Sequence, residues 1–466
     1  MTVLKEPAPS LDVREGTYGE KVAAVEPGGA EFIPLAERHG RPRQLLWTWT
    51  SPNLEFATVF LGVLAVGAFG LSFWQAALAI VVGTALGSVT HGVLSARGPA
   101  HGVPQMVLSR ISFGHWGNAL PAGLNAVVAG IGWFAVNSVS GALALNTLTG
   151  WPQALCLVIV VVAMVVLAFF GHNLVHAFEK YALPVLAVVF AVASVIILAK
   201  SHPGAPGHGG GMGGFLLTVG ATFGYAAGWN PYAADYTRYL PAESSRKAVG
   251  LYAGLGVFVS CVVLEIVGAA SVTIGGDALG QPTSAFTGHL PTAVADLTLV
   301  AIALGGIAAN ALNVYSGAMS FVALGIKLPM TLRRAIVAVV FGAIGFVVAL
   351  SGLHDAGQKY EAFLLVISYW IGPWLAVVLL DQYLRRGTDV DGLLFDRRHR
   401  NWAGPVAMLV GVVLSVWLFS NQQKYVGPVP KHVKSVGDIA FEVGFVISAL
   451  VYLVLRRPKA GRAGEV

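Results

Sequence analysis

The chain has 466 residues, of which 56% are hydrophobic and only 11% are charged, with a formal net charge of +6. This composition departs strongly from that of soluble globular proteins and predicts an all-α integral membrane protein. Both cysteines, Cys156 and Cys261, lie in apolar runs, which argues against a disulfide framework, a metal cluster or a thiol nucleophile.

Apolar runs long enough to cross a bilayer follow one another along most of the chain. A hydrocarbon core of ~30 Å needs about 20 apolar residues in a helix. On this basis we predict twelve transmembrane helices, at residues 45–69, 73–95, 117–147, 151–171, 182–200, 214–239, 248–274, 293–325, 335–351, 359–384, 404–420 and 436–455.

The positions of the basic residues predict how the chain crosses the membrane. With the loops assigned alternately to two sides, all but five of the 29 Lys and Arg residues lie on the side of the N-terminus. Cytoplasmic loops have such an excess. We therefore predict a multi-pass protein of the cell inner (plasma) membrane with both termini in the cytoplasm. Because the basicity reflects topology, no nucleic-acid partner is expected.

The N-terminal tail, residues 1–44, is polar and has no apolar run of the kind found in a signal peptide. Its mixed charge and prolines predict a flexible segment up to the basic run that begins at Arg38. That run is expected to lie against the headgroups of the lipid bilayer.

Ser51 and Pro52 interrupt the first apolar segment, and Asn53 and Glu55 follow them. Proline removes a backbone donor and clashes with an earlier carbonyl, so the helix is predicted to break. Inside a bilayer, broken backbone is tolerated only where it lines a cavity or binds a ligand; a simple proline kink is the alternative. A buried carboxylate is costly, which makes Glu55 a candidate proton carrier.

In the third predicted helix, Trp133 and Asn137 are four residues apart and share a face. An indole ring offers a stacking surface, and a carboxamide offers a donor and an acceptor. Together they suit a planar heterocycle with amide-like edges. A lipid-facing Trp133, with Asn137 bonded to a neighbouring helix, is the alternative.

The sixth apolar segment contains a second interruption, formed by Gly228, Asn230 and Pro231. Paired interruptions in corresponding segments indicate the midplane site of a secondary transporter. At the end of this segment, Asp235 and Arg238 are expected to form a local ion pair or a helix cap.

Buried polar residues also occur in the seventh and eighth predicted helices. Glu265 lies well inside the seventh and is a second candidate for ion coupling, or a partner for a polar neighbour. Asn310 is favoured as a site residue in the eighth, whereas Asn313 is equally compatible with a helix-to-helix hydrogen bond.

Two blocks of five helices follow the tail, at residues 45–200 and 214–384, and each block opens with its interrupted helix. An odd number of helices per block inverts the second block, which is the geometry of a 5+5 inverted repeat. Residues 404–455 add two C-terminal helices, and residues 456–466 form a cytoplasmic tail.

Several separated segments have patterns more specific than hydrophobicity. They are RHGRPRQLLW at 38–47, GPAHGVPQMVLSRISFG at 98–114, the segment around Trp133, NPYAADYTRYLP at 230–241, and Ala308-Ala309-Asn310. Together they resemble the nucleobase:cation symporters, in their purine-cytosine permease branch. The resemblance implies alternating access by an inverted-repeat core with discontinuous helices 1 and 6, and a nucleobase-like solute bound between helices 1, 3, 6 and 8.

The same resemblance assigns roles to individual residues. It implies that Trp133 stacks on the solute ring and that Asn137 and Asn310 bond its edges. A second aromatic wall is expected on helix 6, where Phe223 and Tyr225 are nearby but the aligned position is Ala226. Asn53, in the first break, completes the predicted substrate-binding set.

The coupling ion is predicted from a difference between this sequence and the pattern of its sodium-coupled relatives. Sodium-coupled relatives place hydroxyl side chains on helix 8 shortly before the Asn, but residues 301–309 contain neither Ser nor Thr. Proton coupling is therefore favoured over sodium, with Glu55 as first candidate and Glu265 as second.

The sequence thus predicts a symporter for cytosine or a purine, without a cofactor. Allantoin, a hydantoin or a vitamin-related pyrimidine remain alternatives as solutes. A membrane-embedded enzyme would need clustered carboxylates or metal ligands at one membrane face, and no such cluster is visible. A channel is also less suitable, because paired broken helices fit an occluded ligand better than a continuous pore.

Overall fold

The computed structural model describes residues 29–170, 172–325, 330–353 and 355–456, and this part of the chain is built from α-helices. Every apolar segment predicted from the sequence contains a helix. The helices before the second break are α1 (Gln44–Thr50), α2 (Phe56–Val63), α3 (Phe73–Ser95), α4 (Gly98–His101), α5 (Gln105–Leu108), α6 (Arg110–Phe113), α7 (Ala119–Val127), α8 (Phe134–Thr149), α9 (Gln153–Phe170), α10 (His172–Lys200) and α11 (Gly211–Ala227).

The remaining helices follow the second break. They are α12 (Ala233–Thr237), α13 (Arg246–Val272), α14 (Pro282–Thr287), α15 (Thr292–Ala323), α16 (Met330–Gly352), α17 (Ala356–Leu384), α18 (Ala403–Phe419), α19 (Pro428–His432) and α20 (Ala440–Leu455). Short 3₁₀ helices lie at Leu35–Glu37, Ser51–Asn53, Asn230–Tyr232, Asp391–Leu393 and Lys434–Val436, and π-helical turns lie at Leu64–Ala68 and Val128–Trp133.

Within the described residues, five helices are long and apolar enough to cross a membrane. A sixth candidate is the pair Gln44–Asn53 and Phe56–Ala68, whose axes differ by 63°. Shorter apolar helices at Gln153–Val166, Pro184–Lys200, Val339–Gly352, Ala403–Phe419 and Ala440–Leu455 complete the apolar bundle. The chain is thus a multi-pass membrane protein.

The first break, residues 51–55, is a complete interruption of the helix. A 3₁₀ turn spans Ser51–Asn53, and Glu55 is extended, with φ −145° and ψ 171°. Pro52 lies at the start of that turn, where its missing N–H costs no helical hydrogen bond. The predicted break is therefore present at the predicted residues.

The second break, residues 228–232, is of a different kind. The α-helix stops at Ala227 and a 3₁₀ turn spans Asn230–Tyr232, yet Gly228 and Trp229 keep right-handed helical dihedrals. The backbone here is tightened into a 3₁₀ turn, whereas the sequence predicted an unwound segment. The reason is that proline is accepted in the first turn of a helix, so Pro231 can begin the next turn directly.

The last part of the N-terminal tail also differs from the expectation of a flexible segment at the headgroups. Ile33 and Arg38 are buried, and Arg38 donates its Nε–H to the Ile33 carbonyl at 3.1 Å. Because apolar and aromatic residues precede the basic run, this stretch can pack on the bundle.

Glycines bring α2 and α13 into close contact. A Cβ built at Gly268 would lie 1.8 Å from the Val59 carbonyl oxygen, and one at Gly62 would lie 1.7 Å from the Glu265 carbonyl oxygen. Small residues at such interfaces let two membrane helices approach backbone to backbone. This packing fixes α2, and with it the first break, against the helix that contains Glu265.

Gly268→Ala should therefore lower the thermal unfolding temperature of the detergent-purified protein clearly, because overpacking a tight contact costs ~1–3 kcal/mol or more. The matched control is Gly123→Ala, where the added Cβ would find Leu324 Cδ2 at 3.8 Å, an ordinary contact. Unfolding temperatures that fall equally in the two variants would contradict this role for Gly268.

Candidate functional site

A hydrogen bond and an aromatic contact connect the two interrupted segments. Trp229, in the second break, donates its indole N–H to Asn53 Oδ1 at 2.9 Å. Asn53 in turn donates from Nδ2 to the Trp49 carbonyl oxygen at 2.6 Å, and the Trp49 and Trp229 rings meet edge to face at 5.7 Å between centroids. Asn53, predicted to contact the solute, thus uses both ends of its carboxamide inside the protein.

Glu55 lies at one end of a buried hydroxyl chain. Tyr225 donates its hydroxyl to Glu55 Oε1 at 3.1 Å, and the Thr58 hydroxyl lies 2.5 Å from the Tyr225 hydroxyl. Thr58 also donates to the Asn53 carbonyl oxygen at 2.7 Å. Glu55 is 1% exposed, and its Oε2 has no hydrogen-bond partner among the residues described. The carboxyl group is therefore enclosed and only partly satisfied.

Trp133 lies next to this chain. Its ring meets the Tyr225 ring edge to face at 5.4 Å between centroids, and the Phe363 ring at 5.1 Å. A Cβ built at Gly228 would lie 3.2 Å from Trp133 Cζ2, so the indole packs on the backbone of the second break. Tyr225 thus connects the indole, through its ring, to Glu55, through its hydroxyl.

A π-helical turn, Val128–Trp133, positions the indole. Such turns insert an extra residue into a helix and are frequent at functional sites. Gly130 and Gly132 leave room for neighbouring rings at this turn, because a Cβ at Gly130 would lie 2.1 Å from the Phe341 ring and one at Gly132 would lie 2.3 Å from the Phe363 ring. Both glycines lie within the three residues before Trp133.

The predicted carboxamides form one cluster between α8 and α15. Asn137 donates from Nδ2 to Asn310 Oδ1 at 3.0 Å, and Asn310 donates from Nδ2 to the Phe134 carbonyl oxygen at 2.9 Å. Asn313 donates to the same Asn310 oxygen at 3.5 Å. Asn310 is therefore the centre of the cluster, and its own amide groups are used within it.

The unused hydrogen-bonding capacity lies on the two neighbours of Asn310. Asn137 Oδ1 and Asn313 Oδ1 are buried and accept no hydrogen bond from any described residue. A buried acceptor left unpaired costs ~1–3 kcal/mol. Both atoms are thus available as acceptors for a donor that is not part of the protein.

Gly305 of α15 meets the first break through backbone. A Cβ at Gly305 would lie 2.4 Å from the Leu54 carbonyl oxygen and 3.2 Å from Glu55 Cα. Gly306 is also close to α8, 2.9 Å from the Asn137 carbonyl oxygen by the same measure. Backbone contacts therefore occupy the place at which the sodium-coupled relatives were expected to supply hydroxyl groups.

Two predicted site residues lie elsewhere. The Phe223 ring stacks on Phe441 of α20, with centroids 4.0 Å apart and planes at 12°. Phe223 and Tyr225 lie on different faces of α11, since residues two apart in a helix do not share a face. Glu265 lies in the scaffold, where Thr84 of α3 donates its hydroxyl to Glu265 Oε2 at 2.8 Å.

Other polar residues in and near the second break form hydrogen bonds to neighbouring parts of the chain. Asn230 donates from Nδ2 to the Thr90 hydroxyl at 2.7 Å, which ties the break to α3. Asp235 accepts the backbone N–H of Gln105 at 2.9 Å, at the start of α5, whereas the sequence predicted a local ion pair or cap at the end of Asp235's own segment. Arg238 donates to the carbonyl oxygen of Gly29 at 2.7 Å.

Sequence reasoning placed Trp229 in the second interruption without assigning it a contact, did not single out Thr58, and left Asn313 undecided. The signal for Trp229 was its position inside the second interruption, between Gly228 and Asn230. For Thr58 there was none, because its role follows from a hydrogen bond to Tyr225, far away in the sequence. Within the described residues, no three His, Cys, Asp or Glu side chains are grouped so as to bind a metal.

Interrupted helices in an apolar bundle, with aromatic and amide side chains collected at the interruption, define a membrane transporter. A family model described as "Permease for cytosine/purines, uracil, thiamine, allantoin" matches residues 32–444. The chain belongs to this family of permeases, as the resemblance in its motifs predicted.

Known permeases are similar to this chain in sequence, and a solved transporter is similar to it in fold, along nearly the whole chain. A putative purine-cytosine permease of Bacillus subtilis is 29% identical, over 93% of this chain and 96% of its own length. The purine-cytosine permease fcyB of Emericella nidulans is 29% identical, over 97% and 93%. The nucleobase-cation-symport-1 family transporter Mhp1, in a closed conformation with bromovinylhydantoin bound, shares the fold, with a TM-score of 0.73 and 20% identity over 92% of this chain and 95% of its own.

Proposed function

We propose that this permease imports a nucleobase of the cytosine or purine type, together with protons, by alternating access. The observation that supports this most is the continuous contact from Trp133 through Tyr225 to Glu55. It connects an aromatic surface suited to a planar ring with a buried carboxyl group suited to a proton. Binding at one end can then influence binding at the other, and such coupling is reciprocal.

In this proposal the solute ring stacks on Trp133, with Tyr225 beside it. The free Oδ1 atoms of Asn137 and Asn313 accept N–H groups from the edge of the ring, while Asn310 holds both side chains in place. Asn313 thus takes the contact that the sequence assigned to Asn310. A site with fixed acceptors rejects analogues that lack the matching donors, because the acceptors then remain unpaired.

The substrate class rests on the names of relatives and of the family. The two permeases above are named for purines and cytosine, and nucleobases present N–H donors and a flat ring to the proposed site. The family description also includes uracil, thiamine and allantoin. Allantoin, a hydantoin or a vitamin-related pyrimidine is therefore the second candidate.

The geometry around Glu55 suits a protonated carboxyl group. If Glu55 carries a proton, it can donate to Tyr225, Tyr225 to Thr58, and Thr58 to the Asn53 carbonyl, so that every hydroxyl donates once. If Glu55 is ionised, Tyr225 must donate to it. The two hydroxyls of Tyr225 and Thr58, 2.5 Å apart, can then form a hydrogen bond only if Thr58 donates to Tyr225 and no longer to the Asn53 carbonyl. Gain and loss of a proton thus reorganise the backbone contacts of the first break.

We further propose the architecture and topology that the sequence indicated. The core is a 5+5 inverted repeat, residues 45–200 and 214–384, followed by two helices in residues 404–455, which makes twelve transmembrane helices. The protein lies in the inner (plasma) membrane with both termini in the cytoplasm. Residues 29–39 of the N-terminal tail belong structurally to the bundle.

Uptake of radiolabelled cytosine or hypoxanthine into vesicles tests the coupling ion, with sodium and proton gradients imposed separately. We expect an inward proton gradient to accelerate uptake and a sodium gradient at constant pH to leave it unchanged, because residues 301–309 of α15 offer no hydroxyl side chain to a sodium ion beside the first break. Acceleration by sodium alone would contradict the proposal.

A further inference from the structure

Residues 29–39, called the N-terminal segment below, are docked on one end of the helix bundle. Ile33 is 1% exposed and donates its N–H to the Gly102 carbonyl oxygen at 2.9 Å, directly after α4. His39 donates its N–H to the Tyr239 carbonyl oxygen at 2.7 Å, directly after α12. The segment thus bridges the ends of two different parts of the bundle.

Arg38 fastens the segment. Its Nη1–H donates to the Pro99 carbonyl oxygen at 2.5 Å, and its guanidinium carbon lies 4.8 Å from the centroid of the Phe32 ring. Burial lowers the pKa of Arg38 to about 10, so the side chain remains charged at neutral pH. A buried charge is retained only where carbonyl and aromatic partners replace water, and the docked segment provides both.

Arg238 connects the start of the segment to two helices. It follows α12, is fully buried, and donates to the Gly29 carbonyl oxygen at 2.7 Å and to the Tyr315 hydroxyl of α15 at 3.1 Å. Its guanidinium therefore links the end of α12 and the C-terminal half of α15 to the N-terminal segment.

A row of buried polar side chains on α15 leads from the candidate site toward this closure. Asn313, Ser316 and Ser320 are spaced three and four apart, so they share one face, and each is at most 1% exposed. Asn125 of α7 donates to the Ser320 hydroxyl at 2.7 Å. Asn313 Oδ1 and the Ser316 hydroxyl have no partner within the described part of the chain.

Such a row is unfavourable unless something polar uses it. Each unpaired buried group costs ~1–3 kcal/mol, and apolar residues would pack there without that cost. The face of Asn313 and Ser316 lies between the face of α15 that meets the first break, at Gly305, and the face that meets the π-helical turn Val128–Trp133, at Gly317. The row is therefore directed into the space shared by the helices of the candidate site.

We propose that this row is a second solute-contacting surface, used on release, and that the N-terminal segment is the plug that closes it. The inference rests on the proposed function. A heterocycle that leaves Asn137 and Asn313 can exchange its hydrogen bonds for the Ser316 and Ser320 hydroxyls in turn. Its way out is then blocked by Arg238 and the segment, which must undock before the solute reaches solvent.

Thiol accessibility tests the plug without any solute, with a charged, water-soluble maleimide as the probe of a Ser316→Cys variant. Ile33→Asp adds a carboxylate to the buried contact of the segment and should undock it, whereas Ala36→Asp adds the same charge at an exposed position of the same segment. We expect Ile33→Asp to speed labelling at position 316 at least about tenfold and Ala36→Asp to leave it unchanged, because labelling follows the population of the open form.

The native thiols of Cys156 and Cys261, both fully buried, report general loosening in the same sample. Deletion of residues 2–33 is a second way to remove the plug without adding a charge. The rate at Ser316→Cys relative to Cys156 should rise in both plug variants, and the proposal fails if it rises in neither. Because no solute is added, this result is independent of whether Trp133 binds a nucleobase.

Discussion

Trp133→Ala should raise the dissociation constant for the nucleobase that best stabilises the parent roughly ten- to a hundredfold. The physical reason is that stacking of a base on an aromatic side chain contributes ~1–3 kcal/mol, and each ~1.4 kcal/mol is a factor of ten. The indole is also held in place by Tyr225, Phe363 and the backbone of Gly228, so no neighbouring ring can replace it without repacking.

A thermal-shift titration measures the loss. At a solute concentration 100 times the parent dissociation constant, binding adds ~2.7 kcal/mol to stability, whereas a hundredfold weaker variant gains only ~0.4 kcal/mol. The quantity compared between parent and variant is the rise in unfolding temperature on adding solute, and not the unfolding temperature itself. Deletion of any buried aromatic side chain lowers the stability without solute by ~3–5 kcal/mol.

Phe223→Ala is the matched control, since it also removes a buried ring from the broken-helix region. That ring stacks on Phe441, on another face of α11, so the solute-induced shift should remain as in the parent. An undiminished shift in Trp133→Ala, or an equal loss in both variants, would remove Trp133 from the site.

The fold was predictable where the physical signal is local. Proline and glycine change the backbone wherever they occur, so Pro52 and Pro231 marked both interruptions in the sequence. The length of each apolar run is set by the bilayer, which is why the predicted helix at residues 73–95 coincides with Phe73–Ser95. The kind of interruption was not predictable, because an unwound and a tightened backbone accept the same residues.

The site was predictable only in part, because it depends on contacts between distant segments. The sequence singled out Trp133, Asn137 and Asn310 as contacts of one solute, which stays a prediction, but it did not show that Asn310 uses its amide for Asn137 and the α8 backbone. Nor could it decide between Phe223 and Tyr225, since the rotation of α11 about its axis is set by packing. The docking of residues 29–39 was hidden for the same reason.

Glu55→Gln should abolish the response of uptake to a pH gradient while leaving solute exchange between two equal pools intact. A carboxamide has nearly the shape of a carboxyl group, and it can still bond the Tyr225 hydroxyl, but it cannot gain and lose a proton. With one proton per solute, a gradient of one pH unit is worth ~1.4 kcal/mol and drives about tenfold accumulation. The parent should approach this value in proteoliposomes, and the variant should stop at equal concentrations inside and outside.

The Glu265→Gln variant distinguishes the role of Glu265 from that of Glu55, the other buried carboxyl group. Glu265 belongs to the contact of α13 with α2 and α3, where Thr84 donates to it, whereas Glu55 belongs to the break itself and bonds the residue that touches Trp133. Coupling requires that each ligand change the affinity for the other. Glu55 contacts the break and, through Tyr225, Trp133, so its protonation is the one expected to control accumulation. Glu265→Gln should therefore retain the tenfold accumulation, even if its unfolding temperature falls. Accumulation that survives Glu55→Gln and disappears in Glu265→Gln would transfer proton carriage to α13 and break the link between Tyr225 and the driving ion.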